Sequence, residues 1–365
     1  MRMSDGRTTT PTPMVSQPDL SGGADIEPLL EVRDLAIHFR TPRGLARVVD
    51  GANLTVGHGE IVGIAGESGC GKTTLVEAIL QIIRFPNRLT RGQALFTPKD
   101  GPAIDLMQLS AVKMRGYRGK QIAYVPQGSM NSLNPVLRVG DQIVDAMAAH
   151  GVRERDAKRQ APALLERVGL EARVAGLYPH ELSGGMKQRS IIAIAIALGP
   201  SLIVADEPTT ALDVNVQRQI LETLVRLRDD LGMAILIVSH DLPVHAQLTD
   251  RVGVMYAGQI VETAAVRPAV KQPLHPYAMG LMSSIPTIGG EHRRLEGIAG
   301  ATPSPLDWPP GCRFSPRCPD AMEICGVVAP RLAPVTPGPR QAAGWTVEIV
   351  PGRAVACHLY PESTP

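Results

Sequence analysis

The residues best suited to chemistry begin in a short glycine-rich segment. Residues 66–73 read GESGCGKT, so a lysine and a threonine follow closely spaced glycines. Glycines let several backbone N–H groups turn toward one anion, and the start of the next helix adds partial positive charge. Lys72 would reach the β- and γ-phosphates of a nucleotide, and the Thr73 hydroxyl would bind Mg²⁺. The alternative is an ordinary glycine-rich turn between a strand and a helix.

The expected contacts to the nucleotide follow one another in a phosphate loop, defined as residues 66–74. They are Gly66, Glu67, Ser68, Gly69, Cys70, Gly71, Lys72, Thr73 and Thr74. Cys70 occupies a variable position of the pattern, where we expect a small tolerated residue or, in the alternative, a redox-sensitive thiol.

Two neighbouring carboxylates end an apolar run later in the chain. Asp206 and Glu207 follow LIVA at 202–205, and buried acids are costly unless a cation or a proton offsets them. We predict that Asp206 belongs to the Mg²⁺ shell and that Glu207 polarises the attacking water. His240 ends the next apolar run, AILIVSH. It would contact the γ-phosphate there, or in the alternative serve as a capping or core histidine.

A second candidate anion site precedes an apolar helix. Residues 182–189 read LSGGMKQR, so Ser183, Gly184 and Gly185 stand at a helix start with exposed amides and a hydroxyl. The two glycines would permit close approach of a partner. Taken alone, the pattern also fits a simple serine helix cap.

The elements that must position these residues alternate along the chain. Hydrophobic patterning predicts buried strands and amphipathic or buried helices in turn, which indicates a doubly wound parallel sheet. The strands are expected at 30–39, 47–56, 60–65, 121–125, 202–205 and 234–238, and the helices at 72 to about 84, 139–150, 154–168, 186–198 and 214–231.

The predicted fold class is α/β, a P-loop NTPase-type parallel sheet with an antiparallel β subdomain and a helical insertion. We expect a disordered leader at 1–28, an ATPase domain at 29–263 with a helical subdomain at about 128–198, and a C-terminal extension at 264–365. Residues 302–365 hold 13 of the 32 prolines, so this tail is expected to be largely irregular and to need a staple.

Cysteines supply one candidate for that staple. Four of the five, Cys312, Cys318, Cys325 and Cys357, lie in the C-terminal extension. Four thiolates suit a tetrahedral Zn²⁺ or an iron–sulfur cluster. Unligated thiols are the alternative.

Composition excludes several classes of function. Lys+Arg 37 against Asp+Glu 35 gives a net charge of +2, and aromatic residues make up 3% of the 365 residues. Neither feature suits a protein that binds nucleic acid. No apolar run approaches the roughly 18 residues of a membrane span, and no signal-peptide core is visible. We therefore expect a cytoplasmic protein whose role at a membrane would run through a partner.

Together, the phosphate loop, LSGGMKQR, ADEP at 205–208 and SHD at 239–241 resemble the ATP-binding subunits of ABC transporters, over roughly residues 31–262. The resemblance implies ATP hydrolysis in a head-to-tail dimer. Each ATP is then held between the phosphate loop of one subunit and the Ser-Gly-Gly of the other. With one copy of each motif, this chain requires a second cassette, either identical or a paralogue.

The same resemblance assigns three further residues. Phe39 is similar to the aromatic residue that stacks on adenine. Gln127 resembles the glutamine that contacts Mg²⁺ and the attacking water and communicates with the transmembrane partner. Asp213, in ALD at 211–213, is similar to the residue of the loop that crosses the dimer interface.

A finer resemblance is to the ATPases of the dipeptide, oligopeptide and nickel importers, carried by QGSMNSLNPVLRVGDQ at 127–142 and PGCRFSPRC at 310–318. It implies peptide import, with nickel or oligosaccharide uptake, or a non-transport ABC ATPase, as alternatives. It also implies a [4Fe–4S] cluster on the four tail cysteines, with zinc as the alternative. The implied partners are a paralogous ATPase, two permeases and an extracytoplasmic solute-binding protein, at the cytoplasmic face of the membrane.

Overall fold

The computed structural model describes residues 28–83, 88–99, 101–284, 297–342 and 345–364. Its strands, in chain order, are β1 Pro28–Thr41, β2 Gly44–Gly57, β3 Ile61–Ala65, β4 Arg88–Phe96, β5 Ile104–Asp105, β6 Ile122–Val125, β7 Leu202–Asp206, β8 Ala234–Ser239, β9 Arg251–Tyr256, β10 Gln259–Ala265, β11 Ala333–Pro334, β12 Gly338–Ala342, β13 Trp345–Ile349 and β14 Ala354–Val355. Its α-helices are α1 Lys72–Ile79, α2 Ala111–Tyr117, α3 Val139–Ala148, α4 Glu154–Arg167, α5 Gly184–Ile196, α6 Val214–Leu231, α7 Leu242–Leu248, α8 Val266–Lys271, α9 Pro276–Ser283 and α10 Glu323–Val327.

An eight-stranded sheet with the order β11-β14-β10-β9-β3-β8-β7-β6 forms the centre of the fold. Its strands from β9 to β6 run parallel, and the others pair antiparallel. Side chains of β7 alternate between two cores, with Ile203 and Ala205 in one and Leu202 and Val204 in the other. Because both faces of β7 are buried, the strand is apolar up to Asp206. The predicted α/β class with a parallel sheet is confirmed.

Two further parts of the predicted architecture are also present. A four-stranded antiparallel sheet has the order β2-β1-β4-β5. The helices α3, α4 and α5 lie between β6 and β7 and contact one another, which makes them the helical insertion. Of the predicted leader, only Pro28 is among the described residues, and it begins β1.

The tail is more regular than the proline content predicted. β14 pairs with β10, and β11 pairs with β14, so the extension adds two short strands to the central sheet. The helix predicted from 72 to about 84 ends at Ile79, because Gln81 has a left-handed φ of 52°. Among the described residues, no helix is both long enough and apolar enough to cross a bilayer.

Candidate functional site

One edge of the central sheet brings the predicted site residues together. The strands β6, β7, β8 and β3 are neighbours and run parallel, in a register that aligns their carboxyl ends. Gln127, Glu207, His240 and the phosphate loop follow the ends of these strands in the chain. Ligands of open parallel sheets bind at this edge, where the loops can supply polar groups.

Backbone geometry explains the glycines at the two ends of the phosphate loop. Gly66 has a φ of 155° and Gly71 a φ of 107°. A Cβ on Gly66 would lie 2.2 Å from the carbonyl oxygen of Met255, and one on Gly71 would lie 2.6 Å from that of Val48. Only glycine fits both the space and the conformation. The loop therefore passes close under its neighbours before it enters α1.

The lysine of the loop is held in place by the loop itself. Lys72 is buried, and its Nζ donates hydrogen bonds of 2.8 Å to the carbonyl oxygen of Gly66 and 3.0 Å to that of Glu67. An ammonium group that is hydrogen-bonded to neutral carbonyls can move to an anion at a small cost in free energy, because phosphate oxygens are stronger acceptors.

Cys70, like Lys72, lies away from solvent. Its side chain is buried, and burial raises the pKa of its thiol above the usual value. Since a thiolate is the reactive form, the geometry favours the interpretation of Cys70 as a small packing residue over that of a redox-sensitive thiol.

Asp206 has the features of a cation ligand. It is fully buried, and burial raises its pKa to about 6. Its Oδ2 accepts a hydrogen bond of 3.4 Å from the Tyr124 hydroxyl, and the Thr73 hydroxyl is also a hydrogen-bonding neighbour. Its Oδ1 is buried and has no hydrogen-bond partner among the described residues. A buried oxygen without a partner beside a second oxygen ligand suits a hard cation such as Mg²⁺.

Glu207 is fixed by the residues that follow β8. Its Oε1 accepts a hydrogen bond of 2.9 Å from the His240 backbone N–H and lies 2.7 Å from His240 Nδ1. Its Oε2 accepts from Ser239 at 3.4 Å and from Thr210 at 3.3 Å. Glu207 is buried, whereas the side chain of His240 is 58% exposed. The carboxylate is thus oriented, and the imidazole faces the open edge.

The Ser-Gly-Gly segment forms the start of α5, two residues earlier than predicted. Ser183 is exposed, and its Oγ accepts a hydrogen bond of 3.3 Å from the backbone of Met186. A Cβ on Gly185 would lie 2.5 Å from Cγ1 of Val216, so this glycine permits close packing against α6. Asp213, also exposed, caps α6 through bonds to two backbone N–H groups. Two polar helix starts therefore share one exposed surface.

The two remaining predicted nucleotide contacts, Gln127 and Phe39, differ in exposure. Gln127 is exposed directly after β6. Just beyond it, the buried Ser129 donates a hydrogen bond of 2.8 Å to Gln188 of α5, which ties this segment to the helical insertion. Phe39 is half-buried in β1 and packs against the core on that side. The geometry leaves both Gln127 and Phe39 as predicted contacts.

The tail cysteines are free thiols that influence one another electrostatically. Burial, together with smaller contributions from the other three cysteines, raises the pKa of Cys357 to about 12. Cys312 donates a backbone hydrogen bond of 2.8 Å to the carbonyl of Cys325. Even so, no group of three or more Cys, His, Asp or Glu within the described ranges is placed to hold a metal ion. The structure does not support the predicted iron–sulfur or zinc site.

Sequence patterns missed the partners of Glu67. Arg317 donates to both carboxylate oxygens, at 2.8 and 2.9 Å, and the Thr302 hydroxyl donates at 2.8 Å. The Glu67 backbone N–H donates to the Tyr277 hydroxyl at 2.8 Å. Arg317 lies 250 residues from Glu67 in the chain, so no local motif signals this contact.

Comparison with known proteins places this site in context. Residues 49–210 match the family model of the ABC transporter, and residues 261–325 match that of the oligopeptide/dipeptide transporter C-terminal region. A protein of Brucella abortus that carries the name of a peptide import ATP-binding protein is 44% identical over 301 residues, which cover 82% of this chain and 89% of that protein. A protein of Sinorhizobium fredii named for the ATP-binding part of a peptide ABC transporter is 42% identical, over 88% of this chain and 96% of its own.

Solved structures show the same fold. A dimeric bacterial ABC transporter cassette has a TM-score of 0.56 and 26% identity, over 65% of this chain and 99% of that chain. A dimeric ATP-binding cassette in a post-hydrolysis state, bound to ADP and Pi, gives the same TM-score and coverage at 25% identity.

Proposed function

This chain belongs to the ATP-binding subunits of ABC transporters, and from that premise we propose that it powers the import of di- or oligopeptides through a membrane transporter. ATP hydrolysis is the activity of this family. The peptide cargo is supported by the match of residues 261–325 to the oligopeptide/dipeptide transporter C-terminal region and by the names of the relatives. The observation that carries the catalytic part is the buried, unpartnered Asp206 Oδ1 at the edge that bears the phosphate loop.

The proposed mechanism assigns a role to each group at this edge. Lys72 leaves the carbonyls of Gly66 and Glu67 and binds the β- and γ-phosphates, while the loop amides cradle the same oxygens. Thr73 and Asp206, with Gln127, would hold Mg²⁺, which would neutralise charge on the phosphates.

The carboxylate and imidazole then act on the water and the terminal phosphate. Glu207 orients the attacking water and polarises it, and its four hydrogen-bonding contacts keep it in that orientation. His240 contacts the γ-phosphate from its exposed position. Phe39 stacks on the adenine ring.

A second cassette completes each site in this proposal. Ser183, Gly184 and Gly185 bind the triphosphate held by the partner, and Asp213 crosses the dimer interface. The partner is a paralogous ATPase, and the dimer docks on two permeases fed by an extracytoplasmic solute-binding protein. The chain then works as a peripheral protein at the cytoplasmic face of the membrane.

Reconstitution of this chain with a paralogous ATPase, two permeases and a solute-binding protein tests the proposal. ATP turnover in proteoliposomes should rise when the binding protein is loaded with peptides. A Lys72→Ala variant is the control for turnover from other sources. Stimulation of turnover by Ni²⁺ or by oligosaccharides in place of peptides would overturn the cargo assignment. A chain that hydrolyses ATP without the membrane partners, at a rate that none of these cargoes changes, would favour a non-transport ATPase.

The four tail cysteines carry a separate part of the proposal, a [4Fe–4S] cluster with zinc as the alternative. Its support is the presence of four thiols in one proline-rich segment and the backbone hydrogen bond that joins Cys312 to Cys325. Since they are not placed for ligation in the described geometry, binding would have to draw them together. Iron and acid-labile sulfide in anaerobically purified protein, absent from a Cys318→Ser variant, would support the cluster. Stoichiometric zinc would identify the alternative, and metal-free protein would refute both.

A further inference from the structure

The C-terminal extension reaches into the nucleotide site at one residue of the phosphate loop. Glu67 is the second residue of GESGCGKT, and three groups of the extension bind it. Arg317 forms a two-point ion pair with its carboxylate, Thr302 donates to the same carboxylate, and Tyr277 accepts a hydrogen bond from its backbone N–H.

Arg317 is itself held rigidly. Its side chain is 5% exposed, against 28% for Glu67. Its Nε donates to the carbonyl of Ala299 at 2.9 Å, and its Nη2 donates to that of Ile298 at 3.2 Å. The guanidinium also lies 5.7 Å from the ring centroid of Tyr256. A planar, buried guanidinium with fixed contacts on both sides sets the position of a carboxylate more closely than a surface ion pair does.

The charge of Glu67 matters because of where the loop places it. A nucleoside triphosphate brings several negative charges to the loop amides and to Lys72, whose Nζ already bonds to the Glu67 carbonyl. An uncompensated carboxylate here would repel the phosphates and compete for Lys72. Arg317 lowers the pKa of Glu67, so the carboxylate stays ionised and paired.

We propose that Arg317 is a positioning residue for nucleotide binding: it neutralises and fixes Glu67, and so raises the affinity of the phosphate loop for the triphosphate. This inference rests on the nucleotide site of the proposed function. Its substrate-side consequence is specific. Loss of Arg317 should weaken the affinity for ATP and leave turnover at saturating ATP nearly unchanged. Within the described part of the chain, the hydrogen bonds of the Arg317 side chain reach neither Glu207 nor Asp206.

A double-mutant cycle separates the charge effect from simple loss of packing. We expect Arg317→Met to raise the Kd of the full chain for MgATP about tenfold, the size expected for loss of a charge-assisted hydrogen bond. In the Glu67→Gln background, Arg317→Met should change the Kd by about twofold or less, because the charge that needs neutralising is already gone. Arg317→Met combined with Glu67→Gln should therefore bind MgATP about as well as Glu67→Gln alone. Raising the salt concentration should reduce the difference in Kd for MgATP between Arg317→Met and wild type.

Arg313 provides the matched control. It is a second buried arginine of the extension, pairs with Asp50 of the cassette at 2.8 Å and stacks over Trp308 at 3.5 Å. Arg313→Met should leave the Kd for MgATP within about twofold of wild type. If Arg317→Met does not fold, Arg317→Lys, which keeps the charge, should show an intermediate Kd.

Three results would overturn the inference. They are wild-type affinity in Arg317→Met, a double variant as weak as Arg317→Met, or equal weakening by Arg313→Met, which would mean that any disturbance of the extension suffices. Failure of wild-type protein to bind MgATP would instead refute the proposed function itself, so the two failures are distinguishable.

Discussion

At the scale of single residues, Glu207 has a strained backbone at the position for which we propose a catalytic role. It is a non-glycine residue with a φ of 49°, and its backbone N–H bonds to Val238 of β8. A left-handed conformation is unfavourable for a glutamate and persists only where the surroundings over-determine it. Here the following turn and His240 supply that constraint, so the carboxylate is aimed without freedom to relax.

Replacing Glu207 with Gln keeps the shape of the side chain and removes its basicity. We expect turnover to fall by at least about a hundredfold, because general-base assistance of this kind contributes roughly 10²–10⁴-fold. Binding of MgATP should be retained, and the ATP-bound dimer should accumulate. Turnover is measured as the release of phosphate over time, and dimerisation is measured by light scattering. Unchanged turnover would show that another group activates the water.

Asp206 and Glu207 have different surroundings, which fit the different roles proposed for them. Asp206 is wholly buried with one unpartnered oxygen, whereas both oxygens of Glu207 accept hydrogen bonds from the turn after β8. A buried orphan oxygen suits a cation, and a hydrogen-bonded carboxylate at the loop edge suits a water molecule. Two neighbouring acids thus receive different chemistry from their surroundings.

At the scale of elements, α9 links the extension to the phosphate loop, and its start depends on a neutral histidine. His275 is buried at the N-cap, where its Nδ1 accepts a hydrogen bond from the Tyr277 backbone. Burial lowers its pKa to about 3. Protonation would charge a buried ring and remove the acceptor that begins the helix carrying Tyr277.

The unfolded chain therefore binds this proton more readily than the folded one between pH 6.5 and 3. The contribution of His275 to the free energy of unfolding is therefore largest above pH 6.5. It decreases as the pH falls, by about 2 kcal/mol between pH 7 and pH 5. His275→Asn keeps a capping acceptor without a titrating ring. Urea unfolding at both pH values should show a smaller loss in the variant. Equal losses would mean that His275 does not titrate on unfolding.

Some elements of this fold can be predicted from local sequence patterns, whereas others depend on contacts with residues far away in the chain. β7 and β8 are apolar up to their last residue because both faces are buried, and this pattern is local and readable. β4 begins with the exposed residues RLTR, and β14 has two residues, so neither has a legible pattern. The loop, acids and helix caps were predictable for the same local reason. The Arg317–Glu67 pair was not, since tertiary proximity over 250 residues leaves no periodicity.

At the scale of the whole molecule, a buried ion pair fastens the extension to the central sheet. Arg353 and Glu262 are both fully buried and 2.7 Å apart. Glu262 also accepts the backbone N–H groups of Leu274 and His275. The pair joins the segment before β14 to β10 and to the segment that starts α9.

Removing one partner should leave the other charge buried without compensation. We expect Arg353→Met to lower the free energy of unfolding by about 3–5 kcal/mol. Combining it with Glu262→Gln should recover part of that loss, because the uncompensated charge is then gone. Chemical denaturation of the three proteins measures this. A double variant less stable than Arg353→Met would show that the pair contributes by packing alone.

The proposed dimer makes a different whole-molecule prediction, because in that dimer the two anion sites of one chain would serve different nucleotides. Ser183→Arg places a bulky cation at the start of α5 and leaves the phosphate loop of its own chain intact. The isolated variant should bind MgATP with wild-type affinity, whereas the assembled transporter should lose nearly all turnover.

Lys72→Ala provides the opposite pattern, since it should abolish nucleotide binding by the chain that carries it. Comparing MgATP binding by each isolated chain with turnover by each assembled transporter distinguishes action across an interface from action within one site. Loss of MgATP binding by isolated Ser183→Arg would place Ser183 at the nucleotide of its own chain. The head-to-tail assembly would then have to be abandoned, while the chemistry at Asp206 and Glu207 could stand, because that chemistry depends only on the edge of one central sheet.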